Sequence, residues 1–515
     1  MNDDDRLATN RRTALKTIGA STLALAGCLS GGDGDADVRI GSPWDANRDP
    51  LDGGHTLRRL GITEALVGVD YEANPAPGLA TGWERLDDHN WRFSLREGVT
   101  FHDGASLDGA AVVESLRRTI ESTAFADVPI ETVEATDEMT VAVETGIPFA
   151  PLPAHLSRNE AVILSPDAVA DGDGTITEPI STGPFVFDSF HTGSKLRAVR
   201  NDEYYGRLPE IESVRYEIVE DDQTRRMKLE SGALEMARIL PAEMVGSLES
   251  AADIDVYTPE IPRIRFLTFD TKSVPFDDER VRRAVNYAID RAVICDSLLE
   301  GVDEPAVGPF PASVTEWANP DLEGYTHDPD RARSLLSAAG WTVGSNDDVR
   351  TRDGGSLSIE FTTFDARSLP LIAEAVQTQL GRVGFDVDVT TMEYNAMLDE
   401  VTQEPFDGYL TSWGMLWYPD PDRLAELVHS RETTLHHGYE NGRVDSLLEE
   451  ARERTDREER RERYDEIQSI VLEEAPVAFL TNYTNVVATA SELGGYRPHP
   501  TENRYGLESI ELESE

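Results

Sequence analysis

The sequence predicts an α/β protein of at least two lobes, and three observations lead there. The chain has 515 residues, and the roughly 490 that follow an export-like N-terminus exceed what one hydrophobic core normally encloses. Residues 263–295 read as strand, turn and helix in immediate succession. Short β-type runs and amphipathic helical runs alternate along the rest, with no internal repeat and no long low-complexity insert.

Within 263–295, Ile264, Phe266 and Phe269 with Leu267 and Thr268 form an apolar run that Ser273-Val274-Pro275 stops. Asp277, Asp278 and Glu279 then place negative charge at a helix start. Val281, Ala284, Val285, Ala288, Ile289, Ala292 and Val293 recur at helical spacing, which predicts one buried face. Cys295 sits on that face as a small apolar residue, with no partner for an intramolecular disulfide.

At the N-terminus, Arg11-Arg12 precede a weakly apolar run over 17–26 and then Leu25-Ala26-Gly27-Cys28. Twin arginines before such a run resemble a twin-arginine export signal, and small residues before a cysteine resemble a lipoprotein box. The resemblance implies export of a folded chain, removal of residues 1–27 and lipidation of Cys28. Residues 28–37 then serve as a flexible tether. No other stretch approaches the length of a membrane span.

Acidic residues number 97 against 47 basic ones, and only Lys16, Lys195, Lys228 and Lys272 are lysines. A formal charge of −50 repels nucleic acid and anionic lipid surfaces, so neither is expected as a partner. The acids are spread along the whole chain, as suits a surface solvated in high salt, and in this the sequence resembles proteins of halophilic archaea.

In chain order, 38–43 reads as a first strand, 56–67 as a first helix, 91–95 as a half-exposed strand and 106–118 as a helix. Residues 131–143 give paired strands and 161–166 another. His102-Asp103 could suggest a metal pair, but Asp103-Gly104 is turn chemistry after a strand. Residues 171–175 lack the spaced carboxylates of a calcium loop and read as surface loop. A helix over 221–232 ends at Gly232. Beyond the central segment come helices at 325–341 and 369–383, a strand at 385–389, the run 406–414, a helix over 443–474 ended by Pro476, and a strand at 477–480.

Asp270-Thr271-Lys272, Pro275-Phe276-Asp277-Asp278, Val281-Arg282, Ala284, Asn286-Tyr287-Ala288 and Asp290-Arg291 follow in register a run N-T-x-x-x-P-F-x-D-x-x-V-R-x-A-x-x-Y-A-x-D-R. That run resembles the centre of the extracytoplasmic solute-binding proteins of peptide/nickel ABC importers, family 5. Residues 91–104, Ser181-Thr182-Gly183-Pro184-Phe185, 201–206 and 325–341 resemble further stretches of the same family, so the likeness covers essentially the whole mature chain. It implies a two-lobed periplasmic-binding-protein-like fold (type II) with an extra subdomain in the first lobe. Lobe I is expected at 38–265 and 485–515, the subdomain at about 70–178, and lobe II at 266–484, with crossings near 265 and 477–480.

No Gly-x-Ser-x-Gly elbow, His-Glu-x-x-His, Walker loop or cysteine pair is present, so no catalytic arrangement emerges and no cofactor is expected. The resemblance implies instead a monomer that binds a peptide or small solute and meets ABC permease and ATPase subunits. A peptide closed between two lobes needs a carboxylate for its ammonium and an arginine or helix N-terminus for its carboxylate. In peptide-binding relatives the acid follows the Trp-Gly segment, which points to Asp420 and then Asp422, with Trp413 facing the ligand. The alternative is that Pro419-Asp420-Pro421-Asp422 is a rigid turn capping the next helix. Arg367 is the candidate for the ligand carboxylate. Nickel-binding relatives are similar at 339–342 and 483–507, and they hold a metal chelate with arginine, aromatic groups and a histidine. Arg158 stands near the family's arginine and His436-His437 near its histidine, whereas Phe125 stands where the family has tryptophan and a second arginine has no counterpart. Adjacent histidines usually point their rings apart, which favours a loop there. A sensory ectodomain is the rival of another class, and no signalling segment follows Glu515.

The N-terminal reading has a direct test. Arg11→Lys combined with Arg12→Lys should leave precursor in the cytoplasm, and Cys28→Ser should release the mature domain into the medium. Membrane fractionation unchanged in both variants would remove the lipoprotein reading.

Overall fold

The computed structural model describes residues 36–169, 175–343, 349–403, 406–434 and 438–512. Arg11, Arg12, Cys28, His436, His437 and most of the 171–175 loop lie outside the described residues. Among those described, two large sheets define the two lobes and a smaller sheet stands on the first. The expected two-lobed α/β fold is the fold observed.

The first-lobe sheet has seven strands, in the spatial order Ile254–Tyr257, Val486–Ala490, Met236–Leu240, Val38–Ser42, Ser213–Ile218, Lys195–Arg200 and Phe185–His191. The second has six, in the order Glu304–Pro305, Val477–Thr484, Glu260–Thr268, Gly408–Gly414, Ser358–Phe364 and Asp386–Met392. A four-stranded antiparallel sheet, Ala80–Arg85, Asn90–Leu95, Thr140–Thr145 and Ile130–Asp137, builds the subdomain. The helix Gly109–Ile120 packs on it, its N-terminus capped by Asp108, which accepts from the Ala111 amide at 2.9 Å.

The two crossings run side by side. Tyr257 ends a first-lobe strand, and Glu260 already pairs with Thr484 in the second sheet. Asn485, between Thr484 and Val486, donates its amide to the Pro259 carbonyl at 2.9 Å, tying the crossings together. The first change of sheet therefore falls at 258–259 and not at 265, because the strand begins at Glu260, before the apolar run. The N-terminal tether also ends earlier than residue 37: Asp37 accepts from the Ser213 amide at 3.1 Å and is part of the sheet edge.

The central strand Glu260–Thr268 is buried at every position from Ile261 on. This includes Arg265, only 2% exposed. Its guanidinium pairs with Asp303, donates to Thr481 Oγ1 at 3.0 Å and to the Arg367 carbonyl at 2.9 Å, and lies 4.6 Å from the Tyr483 ring. Asp303 also accepts from the Thr481 hydroxyl at 2.7 Å and the Thr484 amide at 3.1 Å. A buried ion pair persists only when its remaining polar atoms are satisfied in this way.

Four expected elements differ. The helix expected from 281 to 293 stops at Ala288; Asp290 caps a new turn by accepting from the Val293 amide at 3.1 Å, and a π turn Ile294–Leu298 carries the buried Cys295. The first helix is only His55–Arg59, because Gly61 at φ +75° lets the Ile62 amide close back on the Leu57 carbonyl at 2.8 Å. Residues 161–166 make one bridge, Ala65 with Val162, and no strand. The 443–474 helix is two, Gly442–Glu453 and Arg457–Glu474, since Asp456 caps the second by accepting from the Glu459 amide at 3.0 Å.

Removing the partner of Arg265 leaves a charge stranded in the second sheet. Asp303→Ala should lower unfolding free energy by about 3–5 kcal/mol, read from chemical denaturation. A loss under about 1 kcal/mol would show that the surrounding oxygens alone hold the arginine.

Candidate ligand-binding cleft

A cavity of about 360 Å³ lies between the lobes. Trp44, Asp45, His55 and Arg59 line it from the first sheet's side, and Arg158 and Glu160 from the segment after the subdomain sheet. The second lobe contributes Arg263 from the central strand, Ser412 and Trp413 from its neighbour, Phe364 and Arg367 from the end of a third strand, and Trp417, Tyr418, Arg423 and Glu426 from the turn that follows Gly414. Strands of one sheet end together here, so their terminal residues converge on one wall.

Glu502 organises the back of this wall. Its two oxygens accept from Arg263 Nε at 2.8 Å and Arg367 Nη2 at 2.6 Å, while its carbonyl accepts from Arg59 Nε at 3.1 Å. Burial by itself raises the Glu502 carboxyl, but Arg263, Arg367 and Arg59 overcome it and hold the group far below the usual carboxylate range. The stability this supplies is present above the ordinary carboxylate pKa and is lost only in strong acid. Arg263 is pushed down to about 10 by burial and by the neighbouring Arg367. Arg367 is aimed by its backbone: it and Ser368 both sit at positive φ, +57° and +56°, just ahead of the helix Leu369–Gly381. Such strain persists where surrounding contacts impose it, here Tyr483 and Trp44, whose rings lie 4.6 and 5.3 Å from the guanidinium.

Arg423 is differently placed. Its guanidinium lies 4.4 Å from the Trp413 ring and 5.9 Å from that of Trp417, its Nε is buried without a hydrogen-bond partner among the described residues, and its carboxylate neighbour Glu426 is 3.9 Å away. Burial raises the Glu426 carboxyl, which weakens that pairing further. His55 is pushed down to about 4 by burial and by Arg59, so it is neutral at pH 7. The lining thus has five arginines and three carboxylates amid six aromatic side chains, inside a chain of net charge −50.

Trp413, Arg367 and Arg158 are brought to this one cavity. Arg158 is already engaged, with Asp127 at 2.5 Å and Glu160 at 3.3 Å. Asp420 and Asp422 are not free carboxylates of the cleft, contrary to the sequence expectation. Asp420 receives Arg460 at 2.6 and 2.7 Å, caps Asp422 through its amide at 2.9 Å, and borders a separate cavity beside Trp317. Asp422 receives Arg452 at 2.6 Å and faces His155 Nε2 at 3.2 Å. Burial opposes its charge, but Arg452 and His155 keep it ionised well below the usual range. His102-Asp103 is a turn: Gly104 has φ +85° and Asp103 accepts from the Ala105 amide at 2.9 Å. Glu502 and Arg423 were missed by the sequence reasoning. Glu502 lies 239 residues from Arg263 and no local spacing points to it. The Trp-x-x-x-Trp interval ahead of Arg423 was the one available hint.

The family described as bacterial extracellular solute-binding proteins, family 5 Middle, matches residues 74–434. The chain belongs to that family. The oligopeptide-binding protein AppA of Bacillus subtilis (strain 168) is 24% identical to it over 471 residues, covering 86% of this chain and 84% of that protein. The glutathione-binding protein GsiB of Escherichia coli (strain K12) is 26% identical over 522 residues, covering 98% and 99%. The crystal structure of NikA from Brucella suis in complex with Fe(III)-EDTA has the same fold, with a TM-score of 0.84 at 24% identity over 93% of this chain and 100% of that one. Family 5 proteins are extracytoplasmic, and no helix among the described residues is long and apolar enough to cross a membrane.

Asp420 separates a structural role from a ligand role. Asp420→Ala strands the buried Arg460 and should cost about 3–5 kcal/mol of stability while leaving solute affinity at the cleft unchanged. A variant of undiminished stability that loses solute would reverse this assignment.

Proposed function

We propose that this family 5 protein is the solute-binding lipoprotein of an ABC importer, capturing a short, carboxylate-bearing peptide between its lobes and delivering it to the permease and ATPase subunits. The observation that carries the reading is the interlobe cavity. At about 360 Å³ it falls at the lower end of the range for small-molecule sites. Its arginine excess favours an anionic group, and its tryptophans with Tyr394 and Tyr418 supply stacking surface.

In this reading Arg423 and Arg59 receive the ligand carboxylate, because among the described residues they are the lining arginines with the weakest carboxylate pairing: Arg423 lies 3.9 Å from Glu426, and Arg59 donates to the Glu502 carbonyl. Arg367 and Arg263 form the supporting wall through Glu502, and Arg158 orients Glu160, which with Asp45 is available to a ligand ammonium. Trp413 stacks on Arg423 and fixes its plane. The Arg11-Arg12 pair and Cys28 export and anchor the chain as a monomer on the outer face of the membrane, where the acidic surface suits high salt.

A second reading is a metal chelate in place of a peptide. The excess of arginine over carboxylate in the cleft favours a polycarboxylate complex that brings its own metal ligands, since no cluster of three His, Cys, Asp or Glu among the described residues could hold an ion. His436-His437 would then supply the remaining donor.

Calorimetric titration distinguishes the two. A pool of short peptides, and separately nickel with histidine, is titrated into the wild type, Arg423→Gln and His436→Ala/His437→Ala. Peptide binding weakened by about ten-fold or more in Arg423→Gln, with the histidine variant unaffected, supports the peptide reading. Binding of the nickel complex alone, lost in the histidine variant, replaces it with the chelate.

A further inference from the structure

A second cavity, of about 180 Å³, lies within the first lobe and shares no lining residue with the interlobe cleft. Its walls come from the turn after the first helix, the foot of the four-stranded sheet and the C-terminal segment 499–504. Three guanidiniums line it. Arg58 is 7% exposed, donates to the Ser157 carbonyl, and among the described residues has no carboxylate within ion-pair distance. Arg96 donates to the Gly78 carbonyl at 3.3 Å and lies 5.2 Å from the Tyr205 ring, again with no carboxylate of the described residues within ion-pair distance. Arg504 pairs with Glu508 at 2.6 Å.

The carboxylate that lines the cavity is Glu64, and its oxygens accept from Tyr204 at 2.9 Å, Tyr205 at 3.0 Å and Thr182 at 2.9 Å. Even with Glu508, which pairs with Arg504 outside the lining, three guanidiniums are set against two carboxylates, and burial raises the Glu64 carboxyl. Thr63, 2% exposed, also lines the cavity, and its hydroxyl has no hydrogen-bond partner among the described residues. A buried guanidinium whose carboxylate neighbours Glu64 and Glu160 stand beyond ion-pair distance, and a buried hydroxyl without a partner, are each costly. One anion meets both needs, and the planar guanidinium matches the geometry of an oxyanion. Burial, with Arg504 nearby, already pushes Arg58 down to about 10, as expected of a cation short of compensation.

We propose that this cavity binds a small inorganic oxyanion of the phosphate or sulfate class, held by Arg58, Arg96, Arg504 and the Thr63 hydroxyl. The bound anion lies behind the 499–504 segment, whose Thr501 and Arg504 face it while Glu502 faces Arg263 and Arg367 in the cleft. Occupancy therefore steadies the segment on which the cleft wall rests.

The test is calorimetric titration of inorganic phosphate, and then sulfate, into the full chain, in an acetate background at constant ionic strength, with melting temperature followed in parallel. One saturable site is expected, with a melting temperature that rises with anion concentration. The isosteric Thr63→Val and the half-buried Arg96→Gln should each weaken phosphate by about ten-fold or more, while Arg423→Gln in the interlobe cleft leaves phosphate affinity as in the wild type. Non-saturating heats, or a melting response equal in the wild type and Arg96→Gln, would mean a general salt effect and overturn the proposal. Loss of phosphate in Arg423→Gln with retention in Arg96→Gln would assign the anion to the cleft and overturn it equally.

Discussion

One buried carboxylate holds the cleft together. Glu502 arrives on the C-terminal segment of the first lobe and meets Arg263 on the central strand and Arg367 at the head of a second-lobe helix. Neither arginine could sit where it does alone, since a lone guanidinium at under 10% exposure would be desolvated without compensation. The acid is likewise stable there only because two cations share it. This mutual dependence spans both lobes, so the geometry of the cleft wall is tied to how the lobes sit against one another, and the strained backbone at Arg367 and Ser368 is held by the same contacts.

The charge distribution separates surface from site. A net charge of −50 makes the exterior acidic, yet the basic residues, nearly all arginines, are found repeatedly in buried positions: Arg58, Arg225, Arg263, Arg265, Arg282, Arg291, Arg367 and Arg460 are each under 10% exposed. Arginine suits this use because its five donors can be satisfied by carbonyls and carboxylates at once, and its flat face stacks on aromatic rings. Arg282 and Arg291 illustrate the first mode, with backbone carbonyls of Glu474 and Phe479 as acceptors at 2.7 and 2.6 Å. Arg423 illustrates the second. An arginine-rich interior within an acidic shell gives an anionic solute a local environment opposite in sign to the one it approaches.

The same chemistry that made Asp420 attractive in the sequence explains why it is not in the cleft. Two aspartates between prolines can cap a helix, receive a ligand ammonium or receive an arginine, and the choice depends on what stands opposite. Arg460 and Arg452 stand 40 and 30 residues further along the chain, on helices whose relative placement follows from packing. His155, from the other lobe's side, completes the set around Asp422. No spacing rule announces such partners.

The strand–turn–helix of the centre, the alternation in 91–95, the helix ended by Gly232 and the two-lobed fold class were legible because each rests on local periodicity, on a glycine stop, or on chain length against core size. Helix ends at Arg59, Ala288 and Glu453 were misread, since an apolar period continues through residues where Gly61, Asp290 or Asp456 offers the backbone a competing hydrogen bond. The sequence by itself determined the fold class, the acidic surface and which residue types were available to a site. Only the tertiary structure decided which arginines keep a free face. Whether a buried charge is already answered depends on groups such as Glu502 and Arg263, 239 residues apart, that meet only once both sheets are packed.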